Sequence, residues 1–346
     1  MKKTTSGAHK FPLRKCTWEL TTLCNLRCAH CGTRAGIVSR DQLTLDKCFS
    51  IADELADLGC EAVCLIGGEV TLYPGWDLIA DRLISRGVST NIITNGYRVT
   101  TEVFERIRNS RIRTVCVSVD GMEKNHNAIR GKADCFSALD GFIDDLNEKT
   151  DKHITASTTL TGANIADIEA LTVYLADKNV KIWQLQICSP FGNAKDHVGL
   201  PPSKEDVQKV MEIYRRLPQG PMQIQLADNI GYYAADPAGG GMLKEFRGCG
   251  AGLLTIGIDS DGNVRGCESM KDDRFIEGNL KTRALRDIWD SGDSFSYNRK
   301  FARRLLSGGC ADCEYGGVCA GGCRSHNYFS HGRLYESAVC ARNVVK

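Results

Sequence analysis

The sequence predicts an α/β fold: an open, partial (β/α)6 barrel followed by a small cysteine-rich domain. Three observations carry that expectation. Short β-branched runs alternate with amphipathic stretches over residues 15–217, the pattern that builds a parallel sheet covered by helices. The alternation stops in a stretch rich in Gly, Pro and polar residues, PQGPMQIQ and then ADPAGGGMLKEF. The 17 cysteines are spread unevenly, with one tight group near the start and another in the last hundred or so residues.

In chain order, the strands are CTWELT (16–21), AVCLIG (62–67), STNIIT (89–94), RTVCVSVD (113–120), HITASTTL (153–160) and KIWQLQIC (181–188). Helical periodicity covers 45–59, 76–87, 101–110, 136–149, 165–179 and 203–217, and several of these segments end at Gly or Asn, as C-caps do. Six units are too few for a closed eight-stranded barrel, so the barrel is open and its ligand end is the C-terminal mouth of the strands. Further on, LLTIGIDSDGNVRGCES reads as a β-hairpin with Asp261 and Gly262 in its turn, and ALRDIWDS and SYNRKFARRLL read as short helices. The remainder has few large apolar residues, so this end of the chain is expected to fold around metal. The expected organisation is an N-terminal extension (1–14), the barrel (15–217), a linker (218–248) and the cysteine-rich domain (249–346).

Composition narrows the function classes. Lys and Arg number 44 against 42 Asp and Glu, a net charge of +2, so no global field recommends nucleic acid or an anionic membrane as partner. No apolar run reaches the ~18 to 20 residues of a membrane span. The start MKKTTSGAHKFPLRK lacks the apolar core of a secretory signal, so the expected location is cytoplasmic. In that compartment thiols stay reduced, and 17 cysteines point to metal or catalysis rather than to disulfides.

Cys24, Cys28 and Cys31 lie on the loop CNLRCAHC directly after the first strand, so three thiols converge on the barrel mouth. Three thiolates on an iron-sulfur cubane leave one iron open, whereas the spacing alone also fits a zinc site completed by His30 or a distant residue. Gly67, Gly68 and Glu69 follow the second strand; two residues without side chains let a ligand approach the backbone, and the carboxylate can hold an ammonium group. Thr94, Asn95 and Gly96 follow the third strand, and Ser118, Val119, Asp120 and Gly121 end the fourth. Each alone is an ordinary βα turn. In order on successive strands they line one pocket.

These motifs together resemble the radical S-adenosylmethionine enzymes. CNLRCAHC has that superfamily's CxxxCxxC form, with His30 at its usual aromatic position. The resemblance covers about residues 15–191 and implies that Cys24, Cys28 and Cys31 bind a 4Fe-4S cluster whose fourth iron is chelated by S-adenosylmethionine. It puts Gly67, Gly68 and Glu69 at the methionine amino group and Ser118 and Asp120 in the pocket. HNAIRG, with His126 and Arg130, matches an HDxxRG-like turn, with Asn127 where Asp is common. The later cysteines resemble the seven-cysteine SPASM extension, which holds auxiliary iron-sulfur clusters, two in number by this resemblance. It implies that Cys310, Cys313, Cys319 and Cys340 ligate an outer cluster and that Cys249, Cys267 and Cys323 belong to an inner one. The Cx2C and Cx3C pairs would also permit zinc knuckles.

Cys16, Cys48, Cys60, Cys64, Cys116 and Cys135 fall in strands or on helix faces, where free cysteine is usually a small buried hydrophobe. Cys188 differs, because strand alternation puts Gln184, Gln186 and Cys188 on one face, with Cys188 at the mouth. A thiol there can return a hydrogen atom to a substrate radical, or simply fill space. The expected activity is reductive cleavage of S-adenosylmethionine to a 5'-deoxyadenosyl radical, with electrons from a small reductant such as flavodoxin or ferredoxin. The expected substrate is a ribosomally made peptide, to be crosslinked, epimerised or oxidised. The alternatives are a small molecule, such as a sugar or antibiotic precursor, and a non-catalytic metal sensor. Only about twenty residues precede the cysteine loop, so leader recognition is expected to need another protein or another surface.

Overall fold

A computed structural model of the chain describes residues 11–217, 220–228, 230 and 248–344. Most of the expected 1–14 extension and most of the 218–248 linker lie outside the described residues. The six expected strands are β1 (Lys15–Glu19), β2 (Ala62–Ile66), β3 (Ser89–Thr94), β4 (Thr114–Ser118), β5 (His153–Leu160) and β6 (Ile182–Ile187). Each pairs in parallel with the next. The helices between and after them are α1 (Leu45–Asp57), α2 (Trp76–Ser85), α3 (Thr101–Asn109), α4 (Glu123–Arg130), α5 (Cys135–Lys149), α6 (Ile168–Asp177) and α7 (Lys204–Arg216). Capping chemistry sets several starts: Thr44 and Thr100 accept the backbone N–H of Lys47 and Val103, and Ser203 forms a reciprocal box with Asp206.

Alternation along the strands divides the sheet into an oily and a polar face. Trp18, Leu65, Ile92, Val117, Ala156 and Trp183 are buried in the main core, whereas Thr17, Cys64, Asn91, Cys116, Ser157 and Gln184 border the barrel interior. That interior is therefore not filled by apolar layers, as it would be in a closed barrel. Cys64 and Cys116 belong to this lining rather than to the packed face, and Asn91 Nδ2 donates to Cys64 Sγ at 3.4 Å.

The structure departs from the sequence expectation in four places. The segment read as a turn after the fourth strand is helix α4, closed by Gly131 at φ 75°; its polar sequence EKNHNAIR hides the period. A seventh parallel strand, β7 (Gln223–Leu226), pairs with β6 inside the stretch expected to be a linker; four residues with two apolar side chains are too short to show alternation. The expected hairpin forms from β8 (Thr255–Ile258) and β9 (Asn263–Arg265), with Gly262 at φ 88° in its turn and Asp259 accepting the Asn263 N–H and the Arg265 guanidinium. Yet β8 also lies parallel against β1, with Cys16 opposite Ile256. With β10 (Gly278–Asn279), the sheet has ten strands in the order β10-β9-β8-β1-β2-β3-β4-β5-β6-β7. Finally, the cysteine-rich domain packs more apolar surface than expected, because Phe275, Leu285, Ile288, Trp289 and Phe295 join the same core as Trp18. Among the described residues, no helix is long and apolar enough to cross a membrane.

Candidate active site at the barrel mouth

A cavity of about 720 Å³ occupies the barrel interior and its mouth. Cys24, Cys28 and Cys31 border it from the loop after β1, and Cys267 and Cys323 border it from the C-terminal domain.

The loop after β1 is held by the loop after β2. Gly68 N donates to Thr21 O at 2.6 Å and Glu69 N donates to Leu23 O at 2.8 Å. A Cβ on Gly68 would fall 2.3 Å from Leu23 O, and one on Gly67 2.9 Å from Thr21 O. Both glycines border the cavity, but what demands their lack of side chains is the approach of the cysteine loop's own backbone, not that of a ligand. Glu69 is also tied into the protein by its own side chain. Its Oε1 accepts Thr71 N at 3.2 Å, Thr71 Oγ1 at 2.8 Å and Thr94 Oγ1 at 2.8 Å, and its Oε2 accepts Asn95 N at 2.8 Å. Burial pushes this carboxyl up despite those bonds. Glu69 is thus a clamp between the ends of β2 and β3, already supplied with donors. Asn95 is free to serve the cysteine loop: its Nδ2 donates to Asn25 Oδ1 at 2.8 Å and approaches Cys24 Sγ at 3.8 Å.

A polar chain links β4 to the thiols. Asp120 Oδ2 accepts His30 Nε2 at 2.6 Å and pairs with Arg130 Nη2 at 2.6 Å, while Oδ1 accepts Thr159 N at 3.0 Å. Arg130 Nη1 in turn points at Cys28 Sγ, 3.8 Å away. Burial alone would raise the Asp120 carboxyl, but the Arg130 guanidinium and His30 outweigh it and hold it well below the usual carboxylate range. Burial and Arg130 lower His126 to about 3, so it is neutral, and its Nδ1 accepts the Asp120 N–H at 3.1 Å. Ser118, His30 and Arg130 border the cavity; Asp120 is fully buried behind them.

The face that alternation assigns to β6 is the one observed: Gln184, Gln186 and Cys188 all border the cavity. Gln186 Nε2 donates to Thr159 Oγ1 at 3.0 Å. Burial pushes the Cys188 thiol up to about 12. His326, which no sequence signal singled out, stands on the same wall; it is buried and lowered to about 4 by burial, and its Nδ1 meets Ser189 Oγ at 2.8 Å.

In the C-terminal domain the thiols form two electrostatic neighbourhoods. Cys249 and Cys267 are close enough to act on Cys323, and Cys313 and Cys340 on Cys310. Cys319 ends the short helix Gly316–Cys319 and, with Cys249 and Cys323, acts on Arg324.

The donor set suits iron-sulfur clusters. Leu26 N donates to Cys24 Sγ at 3.4 Å and Ala35 N to Cys31 Sγ at 3.4 Å, so with Arg130 each of the three sulfurs has a hydrogen-bond donor beside it, as cluster-ligating sulfurs do. Ser337 N donates to Cys310 Sγ and Arg342 Nη1 to Cys313 Sγ, both at 3.3 Å. Arg324 is fully buried, and its Nη1 donates to Ala320 O at 2.6 Å, whereas its Nε and Nη2 have no hydrogen-bond partner among the described residues. Orphaned donors on a buried cation surrounded by thiols fit an anionic group. Among the described residues no three His, Cys, Asp or Glu side chains meet where a single ion could sit; a cluster, with its irons at separate corners, takes ligands set further apart.

Residues 18–175 match the family model of the radical SAM superfamily, and residues 249–314 match that of SPASM, an iron-sulfur cluster-binding domain. Over 318 residues the chain is 28% identical to the mycofactocin maturase MftC of Mycobacterium tuberculosis, covering 91% of this chain and 79% of that one. Over 338 residues it is 27% identical to an AdoMet-dependent heme synthase of Methanosarcina barkeri, covering 93% and 94%. Among solved structures, Streptococcus suis SuiB bound to S-adenosylmethionine is similar over 95% of this chain and 77% of that one, with a TM-score of 0.76 at 18% identity, a likeness of fold.

Proposed function

We propose that this chain, a member of the radical SAM superfamily with a SPASM iron-sulfur domain, modifies a ribosomally made peptide by radical chemistry. One observation carries the reading: thiols from the loop after β1 and thiols from the C-terminal domain border a single cavity at the barrel mouth. In this reading Cys24, Cys28 and Cys31 hold the 4Fe-4S cluster that takes S-adenosylmethionine. Cys249, Cys267 and Cys323 hold an inner auxiliary cluster, and Cys310, Cys313, Cys319 and Cys340 an outer one. When bound, cluster and S-adenosylmethionine supply a reductive cleavage whose product, a 5'-deoxyadenosyl radical, takes hydrogen from an unactivated carbon.

The chain's own residues bind, orient and shield. Arg130, fixed by Asp120, keeps a positive charge beside the Cys28 sulfur. Asn95 and the Gly68 and Glu69 N–H groups hold the cysteine loop, and Asn95, Gly67 and Gly68 would border the cofactor in the cavity. Ser118, Ser157, Gln184 and Gln186 provide donors and acceptors for a peptide backbone, and the enclosing barrel excludes water. Cys188 stays protonated at neutral pH, the form that returns a hydrogen atom if the outcome is epimerisation. A maturase among the relatives supports a peptide substrate. A small redox protein such as flavodoxin or ferredoxin is the reductant in this reading.

The test is anaerobic incubation of reconstituted protein with S-adenosylmethionine, dithionite and candidate peptides, with mass spectrometry of 5'-deoxyadenosine and of the peptides. Cys24→Ala/Cys28→Ala/Cys31→Ala protein should form no 5'-deoxyadenosine while keeping its auxiliary iron. Turnover of a tetrapyrrole with every peptide unchanged would move the substrate to the class named in the heme synthase relative. Failure of the wild-type protein to cleave S-adenosylmethionine at all would favour a sensor.

A further inference from the structure

We propose that Asp228 is the fourth protein ligand of the inner auxiliary cluster, supplying a carboxylate oxygen beside the thiolates of Cys249, Cys267 and Cys323. The inference rests on the reading of those three cysteines given above. Three thiolates leave a cubane one ligand short. No cysteine stands between Cys188 and Cys249 or between Cys249 and Cys267. Cys16, Cys48 and Cys60 are buried in the main core, and Cys64, Cys116 and Cys188 line the cavity from β2, β4 and the end of β6, whereas the group set against Cys323 Sγ is the Asp228 carboxylate.

Asp228 fills that place by position and by division of its oxygens. It borders the same cavity as Cys267 and Cys323. Strand β7 delivers it: Leu226 pairs with Leu185 of β6, and the next residue, Ala227, donates its N–H to Leu185 O at 2.8 Å. The chain then turns at Asp228, whose φ of 54° is in the left-handed region that Asp tolerates better than most residues. Oδ2 accepts the Ile187 N–H at 3.1 Å, so the end of β6 steers the carboxylate. Oδ1 is turned to the Cys323 sulfur, and Cys323 Sγ donates to it across 3.9 Å. A carboxylate anchored through one oxygen, with the other turned to a thiol, is arranged as a monodentate ligand.

The test uses Cys24→Ala/Cys28→Ala/Cys31→Ala protein as parent, so that only auxiliary clusters contribute, and reads iron and sulfide content and the EPR spectrum of the reduced protein. Asp228→Ala should change the signal of one auxiliary cluster or lose that cluster's iron. Asp228→Cys should restore the parent's iron with a signal distinct from the parent's, because a thiolate has replaced an oxygen. Iron and EPR of Asp228→Ala identical to the parent's would overturn the proposal. So would iron lost in Asp228→Ala and not recovered in Asp228→Cys, or recovered with an unchanged signal. A Cys323→Ala protein in the same background separates the two claims: if its iron and spectrum match the parent's, the cysteine assignment fails, whatever Asp228 does.

Discussion

Asp120→Ala should be among the most damaging single changes in the barrel. The carboxylate is fully buried, its partner Arg130 is 7% exposed, and the two meet at 2.6 Å. Truncation leaves the guanidinium without its counter-charge in a low-dielectric wall, and breaking a buried pair from one side costs about 3–5 kcal/mol. It also strips acceptors from His30 Nε2 and Thr159 N. Adding Arg130→Met removes the stranded charge, so the double variant should regain much of that loss. Denaturant titration under anaerobic conditions can be followed by tryptophan fluorescence, since Trp18, Trp76, Trp183 and Trp289 are all buried; the midpoint should fall with the slope unchanged. The pH dependence has a defined sign. A carboxyl held well below its unfolded value of about 3.9 contributes stability that is complete above that value and is lost as pH falls below it. Wild-type stability should therefore decline below about pH 4 more steeply than that of Asp120→Ala. An Asp120→Ala protein within about 1 kcal/mol of wild type, or a double variant no more stable than the single, would refute the argument, which rests on the one-sided cost of a buried pair.

Gly68→Ala drives a Cβ into Leu23 O and should cost about 1–3 kcal/mol while lowering the iron bound by the cysteine loop; unchanged iron content would show that the loop can yield. Cys188, with its thiol near 12, should react with iodoacetamide at pH 8 about a thousandfold more slowly than an unperturbed thiol and accelerate as pH rises toward 12; site-resolved mass spectrometry measures this, and ordinary reactivity would contradict the burial argument. Arg324→Met removes a buried cation from among the C-terminal thiols and should make the auxiliary clusters harder to reduce, which an EPR-monitored redox titration would detect as a more negative midpoint.

What repeats or is spaced was legible in the sequence. The β-branched runs of β1 to β6 and the spacing of Cys24, Cys28 and Cys31 are local patterns, and the structure carries both to the barrel mouth. What depends on direction was not. Glu69 and Asp120 could be picked out as polar residues at strand ends, but nothing local says that Glu69 spends its carboxylate on Thr71, Thr94 and Asn95, or that Asp120 acts through Arg130. Long-range pairing was also hidden. β8 finds β1 across more than two hundred residues, and neither strand's composition names the other. His326 and Asp228 belong to no motif, and only the fold brings them to the cavity wall.

The parallel pairing of β8 with β1 has a mechanical meaning. Lys15 to Trp18, the strand that leads into the cysteine loop, is hydrogen-bonded to β2 on one side and to β8 on the other, and Lys271 reaches back to bridge Glu19 at 2.9 Å. Pulling the C-terminal domain away would mean unzipping a ladder from the middle of a continuous sheet. A hinged lid would let the gap between electron-carrying groups vary from one turnover to the next. Here the spacing between the cysteine loop and the C-terminal thiols is set when the chain folds, and in the proposed reading substrate has to come to a fixed frame.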